Sequence, residues 1–254
     1  MYQFFVSPSQ INIEEKRVII TGPDVNHIGN VLRMKPGEEV NISNGSDGRE
    51  YRCAILEISD TAVILELRFI KEEGTELPVT VTLYQGLPKA DKMELIIQKC
   101  VELGVTRIVP VTMKRCVVKL DDKKSASKIA RWQSIAEAAA KQSKRGIIAE
   151  ICPVMGYEEA LKAASKSDVK LLPYELADTG AMNETRQILE NLKAGQDISV
   201  FIGPEGGFDE SEIEKAVGAG FKTITLGKRI LRTETAGMTV MSWIMLMTEG
   251  KKNE

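Results

Sequence analysis

Histidine occurs once in this 254-residue chain, at His27, so a zinc site built on several histidines is excluded and a histidine-based triad has no second candidate. The four cysteines, Cys53, Cys100, Cys116 and Cys152, are scattered and form no C-x-x-C pair. Their spacing indicates neither a disulfide framework nor a metal site, and no metal is expected. The phosphate-cradling patterns G-x-G-x-x-G and G-x-x-x-x-G-K-[ST] are missing, which counts against an ordinary nucleotide-binding α/β enzyme. The apolar run from Met238 to Met247 is too short to span a bilayer, and no basic, apolar leader is visible. A cytoplasmic protein without a membrane partner is expected.

Net charge is also in short supply, at -2 with a pI near 5.8, so the chain cannot coat nucleic acid by bulk charge. The basic residues are concentrated instead. Between Lys114 and Arg145 stand ten Lys or Arg against three Asp or Glu, which predicts one basic face. Apolar residues make up 43% of the chain, enough for a sizeable core in one large or two ordinary domains.

The first 70 residues predict a small β-rich module, with strands at Tyr2 to Val6, Arg17 to Ile20, Val40 to Ser43, Tyr51 to Ile58 and Ala62 to Phe69. One helix is expected there, from Asp24 to Leu32. Residues 71–78 are polar and read as a linker. From 79 to 254 the pattern alternates: strands near Val79 to Gly86, Arg107 to Val111, Val169 to Leu172, Ser199 to Ile202 and Thr223 to Leu226 are interleaved with helical stretches that include Asp91 to Leu103 and Ser125 to Ser143. Such alternation means a parallel sheet covered on both faces.

One stretch organises this second region. A short apolar strand runs into Gly203-Pro204-Glu205-Gly206-Gly207, a loop built for close backbone approach. Asp209 then caps a helix with Glu212 as its capping-box partner and Phe208 stapled onto Ile213, so the helix end is fixed in direction and suits an anionic group. Further on comes Leu226-Gly-Lys-Arg-Ile-Leu-Arg-Thr-Glu-Thr-Ala236, polar and dense, before an apolar helix.

GPEGGF followed by LGKRILRTETA resembles the carboxyl-terminal signature of the RsmE family, SPOUT-superfamily methyltransferases that modify N3 of a uridine in small-subunit ribosomal RNA. Three further segments are similar to motifs of that family: HIGNVLRMKPG from His27, KADKMELIIQKCVELGV from Lys89, and RWQSIAEAAAKQSKR from Arg131 to Arg145. The resemblance implies an α/β fold with a deep trefoil knot, preceded by a PUA-like β-barrel. It implies S-adenosylmethionine as cofactor, bound by three loops through Leu172, Pro173 and Glu175; Gly203, Pro204, Glu205 and Gly206; and Leu226, Gly227, Ile230 and Leu231. Either Glu175 or Glu205 would sit near the sulfonium or a ribose hydroxyl. Arg232 is the expected catalytic residue, setting its guanidinium against the uracil oxygens, and Glu234 either takes the proton or complements the last helix. RNA contacts are expected from His27, Arg33, Lys89, Lys92, Gln98, Arg115, Arg131, Gln142, Arg145 and Arg229. The implied partners are 16S ribosomal RNA in the small ribosomal subunit and a second copy of the chain. Two rival functions are methylation of another RNA, such as transfer RNA, and RNA binding without catalysis.

Overall fold

The structure, a computed structural model, describes residues 1–72, 74–174 and 181–251. It divides into two compact units, Met1–Glu76 with Ala140–Ile148, and Leu77–Ala139 with Ala149–Glu254. Among the described residues no helix is long and apolar enough to cross a membrane.

The first unit is a six-stranded sheet. Its strands are β1 (Gln3–Phe5), β2 (Ile11–Asn12), β3 (Arg17–Thr21), β4 (Glu39–Ser43), β5 (Glu50–Ile58) and β6 (Ala62–Lys71), in the order β1-β4-β5-β6-β3-β2. All neighbours are antiparallel except β1 and β4. Alternation sets the core: in β3, Val18 and Ile20 turn inward while Arg17, Ile19 and Thr21 face out. Val18, Ile20, Ile42, Ile55 and Leu65 pack together with Ile28 at its centre. The helix expected from Asp24 to Leu32 is two pieces, α1 (Pro23–Asn26) and a π-turn over His27–Val31, where the Leu32 N–H reaches back five residues to the His27 carbonyl. Such widened turns recur at functional sites.

Residues 140–148 belong to this unit because Glu76 gathers them. Its carboxylate accepts from the Arg145 guanidinium and from the Gly146 and Ile147 N–H groups, while Gln3 donates to the Arg145 carbonyl and Thr75 to that of Lys144. β6 extends to Lys71, and Thr75 and Glu76 are tied into the first unit by contacts about 70 residues away in sequence, which local composition cannot reveal.

The second unit holds β7 (Thr80–Gly86), α2 (Lys92–Glu102), β8 (Arg107–Thr112), α3 (Asp122–Ser143, whose last turn enters the first unit), β9 (Glu150–Ile151), β10 (Met155–Gly156), α4 (Tyr157–Ala163), β11 (Val169–Pro173), α5 (Ala181–Glu190), β12 (Asp197–Ile202), α6 (Glu210–Gly218), β13 (Lys222–Ile224) and α7 (Thr233–Thr248). The sheet is wholly parallel, in the order β10-β8-β7-β12-β11-β13, with β9 also on β8. Its central strands are apolar on both faces, as in β12, where Ile198 to Ile202 are all buried. Phe201 stacks on Tyr84 at 4.5 Å and meets Phe221 edge-on at 4.9 Å. From β7 the chain moves to β8 on one side, while β12 lies on the other. The order thus reverses between β7 and β12, and the carboxyl ends of strands flanking such a reversal form the usual ligand crevice of open α/β sheets.

Candidate functional site

The loop 203–207 leaves β12 at that reversal and lies across the end of β7. A Cβ on Gly86 would fall 2.7 Å from the Pro204 nitrogen and 2.9 Å from the Met113 sulfur, so only glycine lets the two strand ends approach this closely. Gly207, at φ +68°, turns the chain toward α6. The expected capping box is present: Asp209 accepts from the Ser211 N–H and Glu212 from the Asp209 N–H at 2.9 Å. Glu212 also accepts from the Lys114 N–H at 2.8 Å, tying the loop after β8 to the same helix end. Arg115 donates to the Gly206 carbonyl at 3.1 Å, so it braces the loop as well as facing solvent.

After β13 the chain returns across the carboxyl ends of β11 and β12 and enters α7 beside α2. Two polar ties secure this passage. Thr233 donates to the Gly203 carbonyl at 2.6 Å and accepts from the fully buried Gln85 at 2.9 Å, so the ends of β7 and β12 and the start of α7 share one hydrogen-bonded chain. Lys92 at the start of α2 sits 3.0 Å from Glu205 and 3.6 Å from Glu234. Burial pushes the Glu205 carboxyl up, but the Lys89 N–H, its own N–H and the Lys92 ammonium outweigh this and hold it below its usual range. The Tyr174 N–H bonds the Ile224 carbonyl, bringing the loop after β11 to the loop after β13. Arg232 is the N-cap residue of α7; its carbonyl accepts from the Ala236 N–H, while its exposed guanidinium has no ion pair or hydrogen bond among the described residues. Nearby in the chain, Ile230 is 83% exposed, a large apolar side chain left in water at a loop tip.

The profile of an RNA methyltransferase domain matches residues 75–245, and that of an RNA methyltransferase PUA domain matches residues 20–68. The ribosomal RNA small subunit methyltransferase E of Bacillus subtilis (strain 168) is 38% identical over 98% of both chains. The chain belongs to the RsmE family. The relative of the same name from Mesomycoplasma hyopneumoniae is 35% identical over 95% of this chain and 98% of that one. A crystal structure of the Neisseria gonorrhoeae ribosomal RNA small subunit methyltransferase E, bound to S-adenosyl methionine, superposes with a TM-score of 0.82 at 31% identity, covering 98% of each chain. The fold is accordingly the SPOUT methyltransferase α/β class with an amino-terminal PUA-like unit.

The structure gathers much of what the RsmE motifs imply. Gly203, Pro204, Glu205, Gly206, Lys92, Arg232 and Glu234 share one network or its flanks at the carboxyl edge of the sheet. Leu226, Gly227 and Leu231 are half-buried and Pro173 is at the strand end beside them. Leu172 is different, since it is fully buried in the aromatic core within β11, paired with Thr223 of β13. Glu175 lies outside the described residues. In the second unit Lys89, Gln98, Arg131 and Arg229 are exposed, although Arg131 pairs with Glu94. In the first unit His27, Arg33 and Gln142 are exposed, and Arg33 holds a left-handed backbone at φ +53°. Arg145 corrects its expectation: at 3% exposure and bound to Glu76 it has no surface to offer RNA. Lys92 likewise has its ammonium engaged by two carboxylates and is not presented as a phosphate contact. Gln85 and Thr233 were not anticipated; a Gln inside a strand that reads as buried was the available signal.

Proposed function

We propose that this chain transfers a methyl group from S-adenosylmethionine to N3 of a uridine in 16S ribosomal RNA of the small ribosomal subunit, acting in the cytoplasm as a homodimer. One observation carries the proposal: Arg232 is exposed and unpaired among the described residues, yet the segment bearing it is fastened through Thr233 to the 203–207 loop. A cation held rigidly but left without a partner is ready for a substrate.

The residues present suit the cofactor. Leu226, Ile230 and Leu231 offer an apolar wall whose exposed member, Ile230, a bound ring would cover. Gly203, Pro204, Gly206 and Gly227 supply backbone at close approach, with Pro173 at the end of β11 and Leu172 packed beneath it. Glu205 and Glu234 set two carboxylates at this edge of the sheet, groups that can face the positive sulfonium or a ribose hydroxyl. S-adenosylmethionine, when bound, supplies an electrophilic methyl on a sulfonium and leaves as a neutral thioether. Arg232, set against the uracil oxygens, lowers the pKa of the imide by about 1 to 3 units, each worth roughly 1.4 kcal/mol. Arg232 stays protonated, so the ring proton passes to water or to the Glu234 carboxylate. Lys89, Gln98, Arg115, Arg131, Arg229, His27, Arg33 and Gln142 are the proposed RNA contacts, positioning the target without need of a basic protein overall.

The homodimer is supported by α7. Met238, Trp243 and Leu246 lie outside its buried face, Leu246 is 70% exposed, and Leu95 of the adjoining α2 is 42% exposed.

The test is incubation with labelled S-adenosylmethionine and small ribosomal subunits from a strain lacking this gene, followed by mapping of the methylated nucleoside. N3-methyluridine is expected, and Arg232→Ala should lower kcat by about 10²- to 10³-fold with cofactor still bound. Label in transfer RNA alone would overturn the substrate, and light scattering that finds an active monomer would overturn the dimer.

A further inference from the structure

Lys92 occupies the first position of α2, where unpaired N–H groups and the helix dipole disfavour a cation. Two carboxylates outweigh that cost. The Nζ lies 3.0 Å from Glu205 Oε1 and 3.6 Å from Glu234 Oε2, and the three side chains are 29%, 25% and 14% exposed. Glu234 Oε2 is buried with no hydrogen-bond partner among the described residues, so the nearby ammonium is its compensation. Glu205 has a second donor in the Lys89 N–H at 3.0 Å, from the loop that leads into α2. The three side chains come from three separate parts of the chain: the loop after β12, the start of α2 and the first turn of α7.

We propose that Lys92 is a positioning residue for methyl transfer, one ammonium that tethers the 203–207 loop to Glu234 and so fixes that loop against the segment carrying Arg232. This role rests on the cofactor-binding and methyl-transfer function proposed above. A lysine that grips RNA keeps its ammonium in water and contributes by displacing counterions from phosphate. Lys92 instead has its ammonium engaged by two acids, which leaves it less free than Lys89 or Arg229 to meet a phosphate. Lysine suits the place because a compact point charge fits between two carboxylates that approach from different directions, whereas a guanidinium favours one planar pairing. Thr233 makes the neutral counterpart of the same connection, from α7 to the Gly203 carbonyl. The loop is thus held at its first residue by a hydrogen bond and at its third by an ion pair.

The experiment compares full-length wild type, Lys92→Met and Lys92→Arg in three readouts: calorimetric affinity for S-adenosylmethionine without RNA, affinity for small ribosomal subunits, and kcat against KM for each substrate. Lys92→Met is expected to weaken cofactor binding about tenfold and lower kcat at saturating substrates by at least about tenfold, with RNA affinity within about twofold of wild type. Lys92→Arg, which keeps the charge but pairs with one carboxylate at a time, is expected to recover only part of the cofactor affinity. Weakened RNA binding with unchanged cofactor affinity would make Lys92 an RNA contact and overturn the proposal. A lowered melting temperature with unchanged cofactor affinity and kcat in the folded protein would overturn it as well, leaving a structural role. Wild type that binds no S-adenosylmethionine would remove the underlying function and this role together. An active wild type with an unaffected Lys92→Met would remove this role alone.

Discussion

Glu76 and Glu205 are both carboxylates that collect donors from distant parts of the chain, and they end in opposite conditions. Glu76 accepts from Arg145 Nε at 3.0 Å and from two backbone N–H groups at 3.0 and 3.1 Å, and its guanidinium partner is 3% exposed. Glu205 accepts from the Lys89 N–H, its own N–H and one ammonium, is a quarter exposed, and shares that ammonium with Glu234. The first hub uses a rigid planar fork and is saturated and sealed. The second uses a flexible point charge and is under-supplied, with a buried oxygen of Glu234 lacking any hydrogen bond among the described residues. Saturation serves the fold, since it leaves nothing for a ligand to do. Incomplete satisfaction beside an exposed arginine is the condition expected of the proposed site and not of a structural hub.

The largest effect should come from breaking the saturated hub. Arg145→Met leaves the Glu76 carboxylate without its countercharge and should cost about 3 to 5 kcal/mol, a large share of the stability of an ordinary domain. Chemical denaturation measures it. Affinity for S-adenosylmethionine in the protein that remains folded should be unchanged, because neither residue belongs to the carboxyl-edge network. Lost cofactor binding with an unaltered unfolding midpoint would reverse the roles assigned to the two hubs.

A smaller effect should follow from cutting the neutral tie at the site. Thr233→Val keeps shape but removes the donor to the Gly203 carbonyl and the acceptor for Gln85, worth about 1 to 3 kcal/mol for groups buried this way. Here part of the loss should appear as weaker cofactor binding, since the loop that loses its donor is the one proposed to hold the cofactor. Calorimetry against S-adenosylmethionine reads it. A fall in stability with full cofactor affinity would mean that the hydrogen bond fastens the crossing without shaping the loop.

How much of this was legible in sequence depends on separation along the chain. The capping box of Asp209 and Glu212 is a local pattern four residues long, and it forms as read. The alternation of strands and helices is also local, so strands such as Glu50–Ile58 and Thr80–Gly86 fall within a residue or so of expectation. Glu76 with Arg145 spans 69 residues and Gln85 with Thr233 spans 148, and no local signal marks either pair. That is why Arg145 and Lys92 read as surface cations: residue type was visible and the partner was not. The π-turn at His27–Val31 was hidden for another reason, since a widened turn keeps the same apolar spacing to within a residue of an ordinary helix.

The smallest effect belongs to Asp209, whose half-buried carboxyl is held down to about 2 by hydrogen bonds from Ser211 and Lys114. Its folded-state value lies below the 3.8 of an unperturbed aspartate. The proton therefore binds the unfolded chain more readily, and the stabilisation is fully present above about pH 4 and is lost as pH falls through about 2. Asp209→Asn can still cap the helix but cannot ionise, so it separates charge from capping. The difference in melting temperature between wild type and Asp209→Asn should be modest near neutral pH, shrink between about pH 4 and 2, and shrink further in high salt, because Lys114 and Asp209 meet at the surface. Glu205 is also held low, but by a backbone N–H and a less exposed lysine, so salt should affect it less. A melting-temperature difference for Asp209→Asn that persists undiminished at pH 2 would mean that the cap acts through geometry alone and that the lowered carboxyl contributes nothing to the folded state.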